Sequence, residues 1–210
     1  MSVIAVKRNI IDAKSEEVIM KQVRWYNYIE VAVISIVATI ALTFLFGAFG
    51  LTDNQAYSEI AQRQFFGHDS IAETIGLYCL VSPAVEELIF RFGIFNLMLI
   101  IFRRLGIFHD KQLTVSYRES DSSFDNDNLR ADIFAYFFGH MLNLDDHVHL
   151  CVWLTSLFFG IYHMNLIQGL YAFIMGLVIT YSYAVYRRFS IPVVAHICAN
   201  ATALVITYFF

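Results

Sequence analysis

The chain has 210 residues, the size of a single domain. It is 58% hydrophobic and 15% charged, whereas soluble globular proteins run at roughly half and a quarter, so a water-facing surface does not account for the composition and lipid does. A net charge of −4 excludes the basic face that a nucleic-acid partner requires.

Residues 1–28 mix Lys7, Arg8, Lys14, Lys21 and Arg24 with Asp12, Glu16 and Glu17. The apolar run after them is too long for a secretory signal core and lacks a small-residue cleavage site, so it reads as a retained anchor. Residues 29–51 form that first membrane span, for which about 20 apolar residues suffice. Trp25, Tyr26 and Tyr28 make an aromatic belt at its start. Residues 71–102 are a second apolar stretch. At ~1.5 Å per residue it measures ~48 Å, too long for one straight crossing. Pro83 lies within it, removes a backbone donor and predicts a kink or break. Ser82 would then cap a helix starting at Pro83.

Residues 108–149 are polar and acidic, yet Ile133, Phe134, Phe137, Phe138, Met141 and Leu142 recur on one helical face. This predicts an amphipathic helix lying on the membrane surface or packed on the bundle. Three further apolar stretches cover residues 150–162, 166–186 and 191–210. The predicted fold is all-α: a polytopic transmembrane helix bundle of about five spans, with a kinked or broken second span and a short third. Twelve of the fourteen Lys and Arg residues fall on alternate sides that share the N-terminus. By the positive-inside rule this predicts a multi-pass cell-membrane protein with a cytoplasmic N-terminal segment, a cytoplasmic loop at 108–149 and an external C-terminus. Cys79, Cys151 and Cys198 are odd in number, lie in apolar runs and read as small buried hydrophobes.

Ionisable groups cost at least ~2.5–3.5 kcal/mol each near the bilayer centre, which makes them functional candidates. Glu86, Glu87, Arg91, His163 and His196 stand out, together with the amide of Asn200. Glu30 and Glu73 lie near span ends, are expected to reach headgroups, and are set aside. Glu87 and Arg91 are four residues apart and can pair on one helix face. Glu86 lies about 100° around the helix from Glu87 and is free to face elsewhere. His196 and Asn200 are also four apart, as are Phe159 and His163, so the Phe159 ring can support the imidazole from one turn below. A carboxylate beside a histidine can act as general base on water. A histidine and an asparagine can donate to the oxyanion of a tetrahedral intermediate. Any one of these polar groups alone would be as well explained as interhelical glue; the full set points to a catalytic or ion-handling site.

These residues fall into three patterns. Glu86-Glu87-Leu88-Ile89-Phe90-Arg91 reads E-E-x-x-x-R, Phe159-Gly160-Ile161-Tyr162-His163 reads F-x-x-x-H, and His196-Ile197-Cys198-Ala199-Asn200 reads H-x-x-x-N. In this order the chain resembles the CAAX protease and bacteriocin-processing (Abi, or CPBP) family of intramembrane proteases, over roughly residues 71–210 interrupted by the acidic loop. Gly176 and Ser190-Ile191-Pro192 also resemble the family. The resemblance implies an intramembrane endopeptidase. In it Glu86 and His163 activate water, His196 and Asn200 stabilise the oxyanion, and Glu87 and Arg91 are structural. It implies a membrane-embedded or lipid-anchored peptide or protein as substrate and membrane lipid as surroundings. Prenyl-protein processing, peptide maturation and bacteriocin self-immunity are the roles it leaves open.

Several alternatives stay open at this point. No cofactor is required, but zinc held by Glu86, His163 and His196 is compatible with a three-ligand catalytic site. A Cys198 thiol nucleophile is disfavoured because its i+2 spacing points it away from His196. Asp145-Asp146-His147-Val148-His149 reads as a solvated helix entry or a surface metal site. A non-proteolytic protein that binds or sequesters a peptide, and a proton-coupled carrier, are the rival functions. The peptidase reading also carries a geometric demand. If the fourth span crosses fully, His163 and His196 would sit ~20 Å apart in depth. The third segment is therefore expected to stop partway across, with Met164-Asn165-Leu166 turning inside the protein.

Overall fold

The computed structural model describes residues 23–52, 58–59, 62, 67, 70–106 and 137–209. Residues 1–22 and 107–136 fall outside it, and with them most of the predicted N-terminal segment and most of the acidic loop. The described chain has five long helical runs: α1 (Trp25–Ala48), α2 (71–105), α3 (Asp146–Tyr162), α4 (Leu166–Tyr186) and α5 (Ser190–Phe209). A short helical stretch covers 137–142.

The helices are patterned inside out. On α1 the buried positions are Asn27, Glu30, Val31, Ser35, Thr39, Leu42 and Phe46, a helical stripe whose first half is largely polar. Its exposed positions include Trp25, Ile29, Val33, Val37, Ile40 and Phe44. Water would not tolerate so much contiguous apolar surface, whereas small and polar residues facing neighbouring helices are what a lipid-embedded bundle uses. By length and composition α1, α4 and α5 are each able to cross a membrane. Together with the longer α2 they make an all-α, polytopic membrane bundle.

Pro83 does not break α2. The backbone stays helical through every junction, but its register changes: α-helical at Ile71–Thr74, Ser82–Glu87 and Asn96–Leu105, and π-helical at Ile75–Val81 and Leu88–Phe95. A proline ring pushes against the carbonyl one turn before it, and the wider π turn ahead of Pro83 makes room without interrupting the run. Ser82 accordingly is no cap; it is already helical, and its hydroxyl is used elsewhere. The true start of α2 is capped by Ser70, whose Oγ accepts from the Glu73 amide at 3.2 Å.

Helix α3 is short as expected, with 17 residues, or roughly 25 Å. The turn after it differs from expectation. His163 ends α3, Met164 takes a left-handed φ of 55°, and Asn165 caps α4 by accepting from the amides of Ile167 and Gln168 at 3.0 Å each. Met164 and Leu166 are 90% and 88% exposed, so this turn lies at the surface of the bundle and not inside it. The Asn165 cap satisfies the free amides locally, which removes the need for protein around them.

Helices α3 and α4 pack closely through glycine. A Cβ on Gly160 would lie 2.7 Å from the Gly169 carbonyl oxygen, and one on Gly176 would lie 3.2 Å from the Phe159 ring. The 137–142 stretch packs on the bundle: Phe137 is buried with Val31, Ile179, Tyr186, Ile191 and Ala195, while Phe138 and Leu142 remain exposed.

Glu30 corrects a sequence expectation. It does not reach toward headgroups but is 1% exposed. One carboxylate oxygen accepts from the Phe137 amide at 3.2 Å and the other from the Tyr186 hydroxyl. A buried carboxylate needs such donors, and these join α1, α4 and the 137–142 stretch. Glu73 is exposed, as its position at the helix start suggests.

Candidate active site

Four helices contribute to one polar centre. From α2, Glu87 and Arg91 lie one turn apart and are both fully buried, with Glu87 Oε1 2.9 Å from Arg91 Nη1. The guanidinium is further held by Thr180 Oγ1 at 3.2 Å and the Gly176 carbonyl at 3.5 Å, both on α4. Its other side lies 4.3 Å from the centre of the Phe159 ring on α3, a cation–π contact. These partners hold the buried guanidinium, while on the carboxylate side all of the bonds go to Glu87 Oε1 and the buried Oε2 has no hydrogen-bond partner among the described residues.

The same Glu87 oxygen also accepts from His196 Nδ1 on α5, at 2.7 Å. A carboxylate oxygen can only accept, so Nδ1 carries a proton and Nε2 is turned away from Glu87. Nε2 lies 3.7 Å from Glu86 Oε2. Neighbouring glutamates thus flank opposite nitrogens of one imidazole. Glu86 is steadied from below by Ser82 Oγ, which donates to Oε1 at 2.7 Å. That leaves Oε2 as the oxygen turned toward His196.

His163 is fixed by its own helix. Nδ1 lies 2.8 Å from the Phe159 carbonyl oxygen, which again requires the proton on Nδ1 and leaves Nε2 with a lone pair. Both imidazoles meet the Phe159 ring edge-on, with centroids 4.9 Å away for His163 and 5.7 Å for His196. Phe159 is itself 2% exposed and packed on Phe90. The two imidazoles thus meet against one aromatic ring, without a buried turn.

Asn200, one turn beyond His196, donates from Nδ2 to the Tyr78 carbonyl oxygen at 3.0 Å. Glu86, His163, His196 and Asn200 all line one cavity of about 100 Å³ with Tyr78, Ser82, Phe159, Gln168 and Tyr171. The volume holds a few water molecules. Residue type alone marks neither Ser82 as a partner of Glu86 nor Gln168, Tyr78 and Tyr171 as wall residues. The i, i+4 spacing of Ser82 and Glu86 was the available signal for the first. Nothing in the chain order marks the others.

Zinc fits poorly. No three His, Cys, Asp or Glu side chains among the described residues are grouped to hold a metal. The same holds for Asp145 to His149. Cys198 does not line the cavity.

A family model, type II CAAX prenyl endopeptidase Rce1-like, matches residues 69–202, well over half of the chain. No curated protein and no solved structure matches it.

Proposed function

The chain belongs to the Rce1-like family of type II CAAX prenyl endopeptidases, a membrane-embedded protease family, and we propose that Glu86, His163, His196 and Asn200 are its hydrolytic centre. The observation that carries this reading is their convergence on one water-sized cavity among lipid-facing helices.

The protonation pattern supports specific roles. A water in the cavity has two protons to place. Glu86 Oε2 and the bare Nε2 of His163 are both acceptors, so a water donating to both turns its own lone pair outward for attack on a peptide carbonyl. In its doubly protonated form His196, with Nδ1–H held by Glu87, presents Nε2–H to the cavity. The second Nδ2 proton of Asn200 is not used by Tyr78. These two donors suit the oxyanion of the tetrahedral intermediate. His163, once protonated, can pass its proton to the leaving amine.

The substrate is a peptide or protein held at or in the membrane, whether by its own apolar segment or by a lipid anchor. Prenyl-protein processing, peptide maturation and self-immunity are physiological settings for the same cleavage. The charge distribution supports a cytoplasmic N-terminus and an external C-terminus.

The test is cleavage of a lipid-anchored fluorogenic peptide by protein reconstituted in liposomes. Glu86→Gln and His163→Asn are expected to lower kcat by about 10²–10⁴-fold with unchanged thermal unfolding. Wild-type cleavage rates in both variants would refute the assignment.

A further inference from the structure

Gln168 lines the cavity without a part in activating water or binding the oxyanion. On α4 the lining residues are Gln168, Tyr171, Ala172, Met175 and Ile179, a single helical stripe. Gln168 forms its outer end, beside the exposed turn at Met164 and Leu166; the inner end, at Ala172, Met175 and Ile179, is apolar. Gln168 is half-buried, and its backbone is held from two directions. Its amide donates to Asn165 Oδ1 at 3.0 Å. The next residue, Gly169, packs so closely on α3 that a Cβ there would lie 2.8 Å from the Gly160 carbonyl oxygen. Ser82, His163, His196 and Asn200 each spend a side-chain atom on a neighbouring group. The side-chain amide of Gln168 makes no hydrogen bond to another described residue. Water can serve that amide, but a peptide filling a cavity of about 100 Å³ displaces water, and a polar group then left without a partner costs affinity.

We propose that Gln168 is a substrate-binding residue whose side-chain amide hydrogen-bonds the peptide main chain next to the cleaved bond. This rests on the hydrolytic reading of the cavity. A carboxamide carries two donor hydrogens and an acceptor oxygen, so Oε1 can accept a peptide N–H and Nε2 can donate to a peptide carbonyl. A cavity this small keeps Gln168 within about one or two residues of the attacked carbonyl, at ~3.5 Å of extended chain each. Main chain held at the rim places a neighbouring side chain inward, on Ala172, Met175 and Ile179. The capped, glycine-packed start of α4 fixes the Gln168 backbone before substrate arrives, which lowers the ordering cost of binding.

The probe is the lipid-anchored fluorogenic peptide, presented to the full chain in liposomes. Gln168→Leu keeps the bulk of the side chain and removes its polar atoms. It should raise KM about tenfold with kcat within about twofold. Tm should hold or rise, because the amide that goes has no internal partner. A lower Tm with unchanged KM would make Gln168 structural and overturn the proposal. The contact itself is read with peptides carrying one backbone ester, which has no N–H and a poorer carbonyl acceptor, at each position flanking the cleaved bond. One such ester should raise KM about tenfold in the wild type and leave it within about twofold in Gln168→Leu. Equal ester penalties in both proteins at every position would refute the contact. Binding separates the contact from the chemistry. In the Glu86→Gln background, Gln168→Leu should weaken the Kd of the uncleaved peptide about tenfold, read by fluorescence anisotropy. Equal Kd values, or no saturable binding in either protein, would overturn the Gln168 assignment and leave the hydrolytic reading intact. A tenfold loss of binding, alongside a wild type with no Glu86-dependent cleavage, would keep the Gln168 contact and refute the hydrolytic reading instead.

Discussion

Glu87 and His196 are joined by a 2.7 Å hydrogen bond between Oε1 and Nδ1, across helices 109 residues apart in sequence. The same oxygen binds Arg91. Glu87 therefore has two duties: it neutralises a fully buried guanidinium, and it sets the tautomer of an imidazole that faces the cavity. Spacing along the helix points only to the first.

These duties can be pulled apart. Glu87→Gln leaves Arg91 buried without a counter-charge, at a cost of about 3–5 kcal/mol. The double variant Glu87→Gln/Arg91→Met removes both charges and should recover most of that stability in micelle unfolding. Cleavage should stay depressed by about 10²–10⁴-fold in the double variant, because a neutral amide no longer holds Nδ1–H as a carboxylate does. Activity that returns along with stability would show that Glu87 acts through Arg91 alone.

The α3–α4 seam predicts a steric contrast between two glycines. A Cβ on Gly160 would meet the Gly169 carbonyl at 2.7 Å and Phe173 Cβ at 3.0 Å, one a backbone atom and the other fixed directly to the backbone, neither able to swing aside. Gly160→Ala should cost about 1–3 kcal/mol by overpacking. It should also lower kcat, since His163 lies on the next turn of the displaced helix. Gly76→Ala meets nothing within 4 Å and should be neutral or stabilising by about 0.5–1 kcal/mol. Equal Tm shifts in the two variants would contradict the packing described.

The Glu30 cluster predicts a stability effect without a catalytic one. Tyr186→Phe removes the hydroxyl that donates to the buried Glu30 carboxylate and to which Asn27 Nδ2 donates at 3.4 Å. Leaving that acceptor unsatisfied should cost about 1–3 kcal/mol, read as a lower Tm. The cleavage rate of the folded variant should match wild type, because neither Glu30 nor Tyr186 lines the cavity. A loss of kcat with an unchanged Tm would place this cluster in the reaction and overturn the separation.

Much of the site was legible because membranes make polar residues conspicuous. Glu86, Glu87, Arg91, His163, His196 and Asn200 stood out as groups that lipid does not tolerate, and helical spacing sorted Glu87 with Arg91 and His196 with Asn200. Glu30 was misjudged by the same logic. Its position near a span end permits an excursion to headgroups, and only the packing of Phe137 and Tyr186 against α1 reveals that it turns inward. Ser82 was placed at a helix start because proline usually marks one; the π register of α2 shows that a helix can pass through proline by widening.

By itself the sequence determined the medium, the helical class, the short third segment and the identity of the polar set, since each follows from composition or from periodicity along one helix. Tertiary structure alone decided which atoms face which. That His196 gives Nδ1 to Glu87 and turns Nε2 toward Glu86, that Phe159 lies against both histidines, and that Asn200 reaches the Tyr78 carbonyl are contacts between helices distant in the chain. Spacing within a helix fixes the angle of a side chain about its own axis. The register and rotation of one helix against another come from close packing at places such as Gly160 and Gly169, and local periodicity carries no record of that.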